Sequence, residues 1–589
     1  EQYDGEVSLY TYDKDGMLVK AKNSENLLEF TRDRKTGLVI EERQGKYTVS
    51  RTYDSEGNCT RITSSLGADI RHTYDREGNL QTMQAGEGWQ ASWVRDNTGL
   101  EVQRTFSGGV TVSTERDGFG REVRKSVRAG GIERGAYRYE WGVANRLLAK
   151  ENELTGMVMR YDYDRFDFLI RQETTQGSET DVIYRVPDFV GNLFGTPDRK
   201  DRKYGAGGKL LEDPDCFYHY DDEGNLIFRE FKRLQETGVT FDRKRMEKER
   251  GIRCLATGMG WLYEWASNGM LKRVVRPDGR PVEFRYDALG RRTVKQYFGK
   301  VTRWVWDGNV PLHEWSYKAT EMQQDEEENA PPKEPDGDIT TWVFEADTFI
   351  PTAKIQGDKQ YSIVSDYLGT PIQMYDGQGD MTWNCTLDIY GKVIAVDKGT
   401  EFHCPFRWAG QYFDFETNLC YNHFRYYSSE IGSYLSQDPI GILSDELNYY
   451  SYVDDTNNNI DVIGLKGTYV FVIDKKKKIA YVGKGKWARF RKSVRHRTEE
   501  VNGKRTNPTS WASKYYGNDE FAEMVESKVI SEMIRDKYIL VNKIASPGLK
   551  RYKQANDVTK KLVDKAAEDL IAEMKSNQGK DIKKEPHHH

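Results

Sequence analysis

From about residue 9 to residue 460, short runs of alternating apolar and polar residues follow one another, many of them closed by Asp-x-x-Gly. Four copies keep a constant interval of 21 residues: Tyr53-Asp54-Ser-Glu-Gly57-Asn58, Tyr74-Asp75-Arg-Glu-Gly78-Asn79, Arg95-Asp96-Asn-Thr-Gly99-Leu100 and Arg116-Asp117-Gly-Phe-Gly120-Arg121. Looser copies stand at Tyr12-Asp13, Tyr220-Asp221 and Tyr286-Asp287. Alternation predicts strands, and Asp with Gly at the left-handed position predicts the turn between them, so each unit is one β-hairpin. A lone hairpin is barely stable in water; successive hairpins must therefore stack into one long sheet. The tyrosines would supply cross-strand aromatic packing. One aspartate per turn is too few for a calcium cage, which favours a structural role.

Two stretches break the period. Residues 186–214, rich in Gly and Pro, are expected to bulge from a rim, and residues 319–338, acidic and Pro-containing, to form a mobile surface loop. A third break, at Asp438 to Gly467, is a border. From Lys466 onward there are 29 Lys+Arg against 16 Asp+Glu, whereas the whole chain carries −5, so residues 1–465 carry −18. A basic segment of that size points to a polyanionic partner, most often nucleic acid.

Composition agrees with a strand-rich protein: 36 Tyr and 53 Gly with only 16 Pro. No window approaches 18 apolar residues, so no membrane-spanning segment is expected, and the first residues lack a basic-then-apolar signal pattern. The chain opens mid-architecture, which leads us to expect native sequence before it. The closing His587–His589 reads as a tag remnant. Six cysteines without a CxxC pair fit neither a disulfide framework nor a zinc site.

The repeated half resembles the YD-repeat core of the Rhs/teneurin-type family. Its most specific part is the end: Arg407-Trp-Ala-Gly410-Gln411, Tyr421-Asn422-His-Phe-Arg425-Tyr426-Tyr427, and Gly432-Ser-Tyr434-Leu-Ser-Gln437-Asp438-Pro-Ile-Gly441. The segment from Thr341 to Val393 is similar to the family's pre-terminal strands. The resemblance implies a mainly β shell over residues 1–437, coiled from β-hairpins into a hollow cocoon with the terminal signature plugging one end.

Within the border one pentapeptide occurs twice, Asp438-Pro439-Ile440-Gly441-Ile442 and Asp461-Val462-Ile463-Gly464-Leu465. Read alone, the two aspartates are either turn-formers or an acid/base pair. The family resemblance implies the second: residues 438–465 as an autoproteolysis segment in which Asp438 and Asp461 cut the Leu465–Lys466 bond. Two carboxylates suit that chemistry because like charges held close push their pKa values apart. The departure is Val462, where the family has Pro.

Residues 466–586 read as a small α+β domain. A strand with Gly467-Thr468-Tyr469 and a second with Tyr481-Val482-Gly483 form a hairpin, followed by a basic helix from Trp487 to Arg497. A second helix runs from Phe521 to Ile534, and a terminal one from Asp557 to Lys575. This order resembles the GIY-YIG nuclease superfamily. The resemblance implies Tyr469 and Tyr481 positioning or deprotonating water, Arg491 as the phosphate donor, Glu526 holding Mg²⁺ or another divalent cation, and Asn542 orienting the site. Arg495 or His496 would assist the leaving group. Lys484, Lys486, Arg489, Lys492 and Arg497 would contact backbone phosphates.

Together these features imply an Rhs-type antibacterial effector whose β-shell encapsulates and releases a metal-dependent nuclease, with DNA the favoured substrate. The implied partners are target nucleic acid, a cognate immunity protein and secretion-system spike or chaperone proteins. The implied route runs from synthesis in a bacterial cytoplasm, without a conventional signal peptide, to action in the target-cell cytoplasm. The rival is a YD-repeat adhesion or carbohydrate-binding protein with a non-catalytic nucleic-acid-binding tail.

Overall fold

The computed structural model describes residues 2–3, 6–14, 17–233, 243–321, 338–400, 403–439 and 448–462, and beyond these the backbone of four strands. The chain divides into two compact units: Glu1–Gln437 with Tyr450–Ile463, and Asp438–Tyr449 with Gly464–His589.

In the first unit consecutive antiparallel hairpins build two large sheets. Seventeen strands, from Leu9–Tyr12 to Glu179–Tyr184, form one sheet, and fifteen more, from Lys203–Tyr204 to Met381–Asn384, form a second. The turns follow from their residues. Asp54 Oδ1 accepts the N–H of Asn58 at 2.9 Å, while Gly57, at φ +84°, donates to the Asp54 carbonyl. The same geometry recurs at Asp75 with Asn79 and at Asp221 with Asn225. Only a residue at ease with positive φ closes this loop, which is why glycine recurs there.

The residue before the aspartate does more than pack. A β-bulge precedes it, between Thr52 and Tyr53 and again between Arg285 and Tyr286, and a bulge re-aims the side chain. Its polar tip then reaches a main-chain carbonyl one hairpin earlier: Tyr53 donates to Val39 O at 2.8 Å, Tyr163 to Leu147 O at 2.9 Å and Tyr286 to Leu271 O at 2.7 Å. Where the sequence departs from Tyr, the substitute does the same job. Arg116 Nε donates to Glu101 O at 3.0 Å and Trp141 Nε1 to Glu122 O at 2.6 Å. Tyr53→Phe is therefore expected to lower stability by about 1 kcal/mol, the net worth of one hydrogen bond, read from a urea midpoint. Adding the same change at Tyr163 should more than double the loss, since the two share no partner and the Tyr163 hydroxyl also accepts from Asn457 Nδ2 at 3.2 Å.

The inner faces of the two sheets share one core. Val49, Met83, Trp89 and Val112 of the first meet Val301, Trp315, Val343 and Tyr375 of the second. Trp89 Nε1 donates to Ser362 Oγ at 3.0 Å, and the Gln44 amide pairs both ways with the Trp306 main chain. Each buried aromatic of this size hides roughly 150–250 Å², or about 4–6 kcal/mol of transfer free energy. Along this seam the sheets meet over packed side chains, not across a lumen.

Residues 186–214 do not bulge from a rim. Residues 186–202 are the crossing from one sheet to the next, pinned by buried Leu193 and Phe194 and by Arg202 Nη1 donating to Leu193 O and Ile431 O, and Lys203–Tyr204 and Leu210–Glu212 are already strands of the second. Gly and Pro break the period here because the chain must change sheet. A helix at Arg243–Arg250, with Met246 as its buried contact, interrupts the second sheet where no hairpin signal is present. The stretch 322–337 of the acidic segment lies outside the described residues.

Two buried histidines couple this packing to pH. His313 sits between Ser64 Oγ, 2.7 Å away, and Thr341 Oγ1, and burial lowers its pKa to about 4. Burial and the Arg291 charge bring His423 to about 4 as well. The unfolded chain takes up these protons first, near pH 6.5, so stability falls as pH drops from 6.5 to 4 and levels off below. At full effect each histidine costs about 3 kcal/mol. Asp388, which burial raises to about 6, works the other way from pH 6 to 4. A net fall in thermal midpoint between pH 7 and 4.5, reduced in His313→Gln, is the expected result.

Candidate functional site: a buried aspartate at the shell terminus

The terminal signature folds into a four-stranded sheet, Tyr412–Asp414, Leu419–Asn422, Arg425–Ser428 and Ser433–Tyr434. Its aromatic density explains where it goes. Leu419, Tyr421, Tyr426, Ile431 and Leu435 pack against Tyr263, Phe284, Trp304 and Trp306 of the second sheet. A buried ion cluster locks the contact. Asp414 is paired with Arg292 and lies 3.0 Å from Lys295 Nζ. Burial alone would raise the Asp414 carboxyl, but those two cations outweigh it and hold it below the usual carboxylate range. The Arg292 guanidinium stacks 4.5 Å from the rings of both Trp304 and Tyr421, a role its flat cation fills and an ammonium would not.

Residues 450–462 then run back across this assembly. Tyr450 donates to Gly224 O at 2.6 Å, Thr456 Oγ1 to Ile389 O at 3.0 Å, and Tyr367 to Asn457 O at 2.8 Å. This delivers Asp461 to an interior position where it is 1 % exposed. Its Oδ2 accepts from Tyr434 Oη at 3.1 Å and from Arg425 Nη2 at 3.3 Å. Its main-chain carbonyl accepts from Asn422 Nδ2 at 2.7 Å, and its N–H donates to Tyr452 Oη at 3.2 Å. The Arg425 guanidinium lies 3.7 Å over the Tyr434 ring. Burial, followed by the Asp461 charge, raises the phenols of Tyr434 and Tyr452 well above their ordinary range, so both stay protonated. Two donors converging on one oxygen, one of them a cation, suit an ionised carboxylate that accepts.

Of the residues expected at the cleavage device, Asp461 is thus fully described. Asp438 belongs to the second unit, is 8 % exposed, and donates its N–H to Tyr449 O at 2.9 Å. Leu465 and Lys466 lie outside the described residues. Arg425, Tyr434, Asn422 and Tyr452, which surround Asp461, carried no role in the sequence reading. The signal lay in the terminal signature, whose Asn422, Arg425 and Tyr434 were treated only as marks of the family.

In the second unit, Gly467–Asp474 and Ile479–Lys484 pair antiparallel, with Tyr469 opposite Gly483 and Tyr481 opposite Phe471. The hairpin also carries Lys484. Ser510–Tyr515 adds to its other edge and Ile539–Leu540 runs parallel to Ile479–Ala480; neither strand was expected. Lys486, Arg489, Arg491, Lys492, Arg495, His496, Arg497, Glu526 and Asn542, and the three expected helices, lie outside the described residues.

Residues 101–460 match the Teneurin YD-shell family model, and residues 53–88 the RHS Repeat model. The chain belongs to the Teneurin YD-shell family. This YD-shell is 28% identical over 348 residues to "Probable deoxyribonuclease RhsB" of Dickeya dadantii, a match covering 53% of this chain and 23% of that protein. It is 27% identical over 351 residues to "Double-stranded DNA deaminase toxin A" of Burkholderia cenocepacia, covering 57% of this chain and 21% of that one. Among solved structures, the Photorhabdus luminescens Tc holotoxin pore superposes with a TM-score of 0.54 at 16% identity, over 79% of this chain and 25% of that chain. That likeness shows the mainly β, long-sheeted fold. The chain spans about a quarter of the length of the curated relatives it matches, and the shared part is the Rhs-type shell of toxin proteins. Among the described residues no helix is long and apolar enough to cross a membrane.

Proposed function

We propose that this YD-shell cuts itself from a C-terminal nuclease that it carries as a toxin. The observation that supports self-cleavage is Asp461, a fully buried carboxylate aimed by Arg425 and Tyr434 and placed four residues before Leu465. In the proposed step Asp461 takes a proton from water, whose oxygen attacks the Leu465 carbonyl. Asp438 gives a proton to the Lys466 nitrogen as the C–N bond breaks, leaving a Leu465 carboxylate and a Lys466 amine. Val462 in place of proline alters the rigidity of the segment and leaves both acids in place.

The nuclease reading rests on the order of residues after Lys466 and on the excess of 13 positive charges there. Arg491 would neutralise the phosphate, Tyr469 and Tyr481 would position water, Asn542 would orient the site, and Arg495 or His496 would assist departure. Glu526 is the residue assigned to hold Mg²⁺, which supplies charge stabilisation at the phosphoryl oxygens. The names of two relatives, a deoxyribonuclease and a double-stranded DNA deaminase toxin, favour DNA. The proposed partners are the nucleic acid, an immunity protein that blocks the basic domain, and a secretion apparatus that carries the shell to a target cell. Denaturing gels of the purified chain and degradation of plasmid or RNA with Mg²⁺ test the two halves separately.

A further inference from the structure

A buried glutamine beside the cleavage segment has nothing to bond. Gln411 is 1 % exposed, and among the described residues neither its Oε1 nor its Nε2 meets a hydrogen-bonding partner. A buried amide unpaired at both ends carries its full desolvation penalty, which an apolar residue of the same shape would avoid. Its neighbour Gly410 explains what lies in front of it. Gly410 has φ +87°, and a methyl group there would stand 2.7 Å from Val462 Cα and 2.8 Å from Val462 C. The Val462 main chain therefore lies directly over the Gly410 Cα. Gly410, Gln411 and Val462 line one cavity of about 30 Å³, walled by Trp304, Phe344, Phe406 and Tyr412 together with Arg292 and His423. That is room for a water or two, or for a peptide group turned toward the amide.

We propose that Gly410 and Gln411 are positioning residues for the self-cleavage described above, on which this inference rests. Gly410 leaves the space in which the Val462 main chain lies. The Gln411 amide hydrogen-bonds the Val462 carbonyl when the segment is held for cutting. Neither residue touches the reacting atoms; both act by fixing the chain three residues before the bond that breaks. A largely aromatic wall with an unpaired amide suits an extended peptide: the wall fixes its side chains, and the amide supplies a donor for its backbone.

The test uses the full chain, with cleavage followed by denaturing gel during cell-free synthesis and the thermal midpoint measured on purified protein. Gln411→Met keeps length and removes both polar groups. It is expected to slow cleavage roughly 10–100-fold, the scale of a misplaced reacting group, with the midpoint unchanged or higher. Gly410→Ala should slow cleavage as well, by pushing Val462 off its seat. Asp461→Asn serves as the uncut reference. If Gln411→Met cuts at the wild-type rate while Asp461→Asn is blocked, the amide serves only buried water and the inference falls, with self-cleavage intact. If Gln411→Met loses cleavage and midpoint together, its role is structural and the inference falls too. Should the wild-type chain itself stay uncut, the cleavage reading fails and takes this inference with it.

Discussion

Asp461→Asn is expected to leave the chain in one piece. The substitution keeps the shape of the side chain and removes the ability to accept a proton from water. General-base contributions of this kind are worth about 10²–10⁴ in rate, enough to turn complete processing into none over a preparation. The amide also presents an N–H₂ toward Arg425 and Tyr434, where a carboxylate oxygen had accepted from both. Removing one partner of a buried ion pair costs about 3–5 kcal/mol, so the variant must be shown to retain its strand signal by circular dichroism before its gel is read. Arg425→Lys separates charge from shape: it keeps the cation but loses the flat stack on Tyr434, and cleavage should slow without vanishing. Asp438→Asn should block cleavage from the acid side. A full-length Asp461→Asn chain that is still cut between Leu465 and Lys466 at the wild-type rate would remove Asp461 from the chemistry.

Arg491→Ala and Glu526→Ala are each expected to reduce Mg²⁺-dependent cleavage of plasmid DNA by about 10²–10³, the scale on which a single preorganised charge stabilises a transition state. Removal of the divalent ion by chelation should match the Glu526 effect, because that carboxylate is assigned to hold the ion. Lys484→Ala and Arg489→Ala should behave differently. As backbone-phosphate contacts they would weaken binding evenly across sequences and reduce its salt dependence by about one phosphate each. Parallel reactions on RNA decide the substrate. Equal rates for wild type, Arg491→Ala and Glu526→Ala would end the nuclease reading and leave the adhesion-type alternative, with a tail that only binds nucleic acid.

The hairpins were legible because their determinants are local. Asp54, Gly57 and Asn58 lie within five residues, and the bonds among them are those that turn chemistry demands. The Tyr53 side chain was only half legible. Its size announced packing, but the bulge that turns its hydroxyl toward Val39 is a register shift against Cys59–Ser64 across the turn, which alternation does not show. The crossing at 186–202 showed itself as a broken period whose cause lay in the arrangement of sheets. The helix at Arg243–Arg250 has one buried apolar contact and left almost no periodicity to read.

The site divides in the same manner. The duplicated pentapeptide drew attention to Asp461, yet its partners Arg425, Tyr434 and Asn422 stand 36, 27 and 39 residues away in sequence. Spacing alone gives no reason to join them. The Arg292–Asp414–Lys295 cluster was invisible for a different reason: charged residues are ordinarily solvated, and only the tertiary fold shows that these are buried.

The tyrosine bonds have a consequence for how such proteins change over time. Tyr53, Tyr163 and Tyr286 each reach back to the hairpin before, and only Tyr163 and Tyr286 of the three are also tied to the terminal segments, at Asn457 and Tyr426, so a tie such as that of Tyr53 links nearest neighbours and does not count how many units the sheet contains. Duplication or loss of a whole 21-residue unit adds or removes one tie and leaves the rest as they were. The sheet can therefore lengthen or shorten by whole hairpins of this kind without redesign of the lock at Arg292 and Asp414.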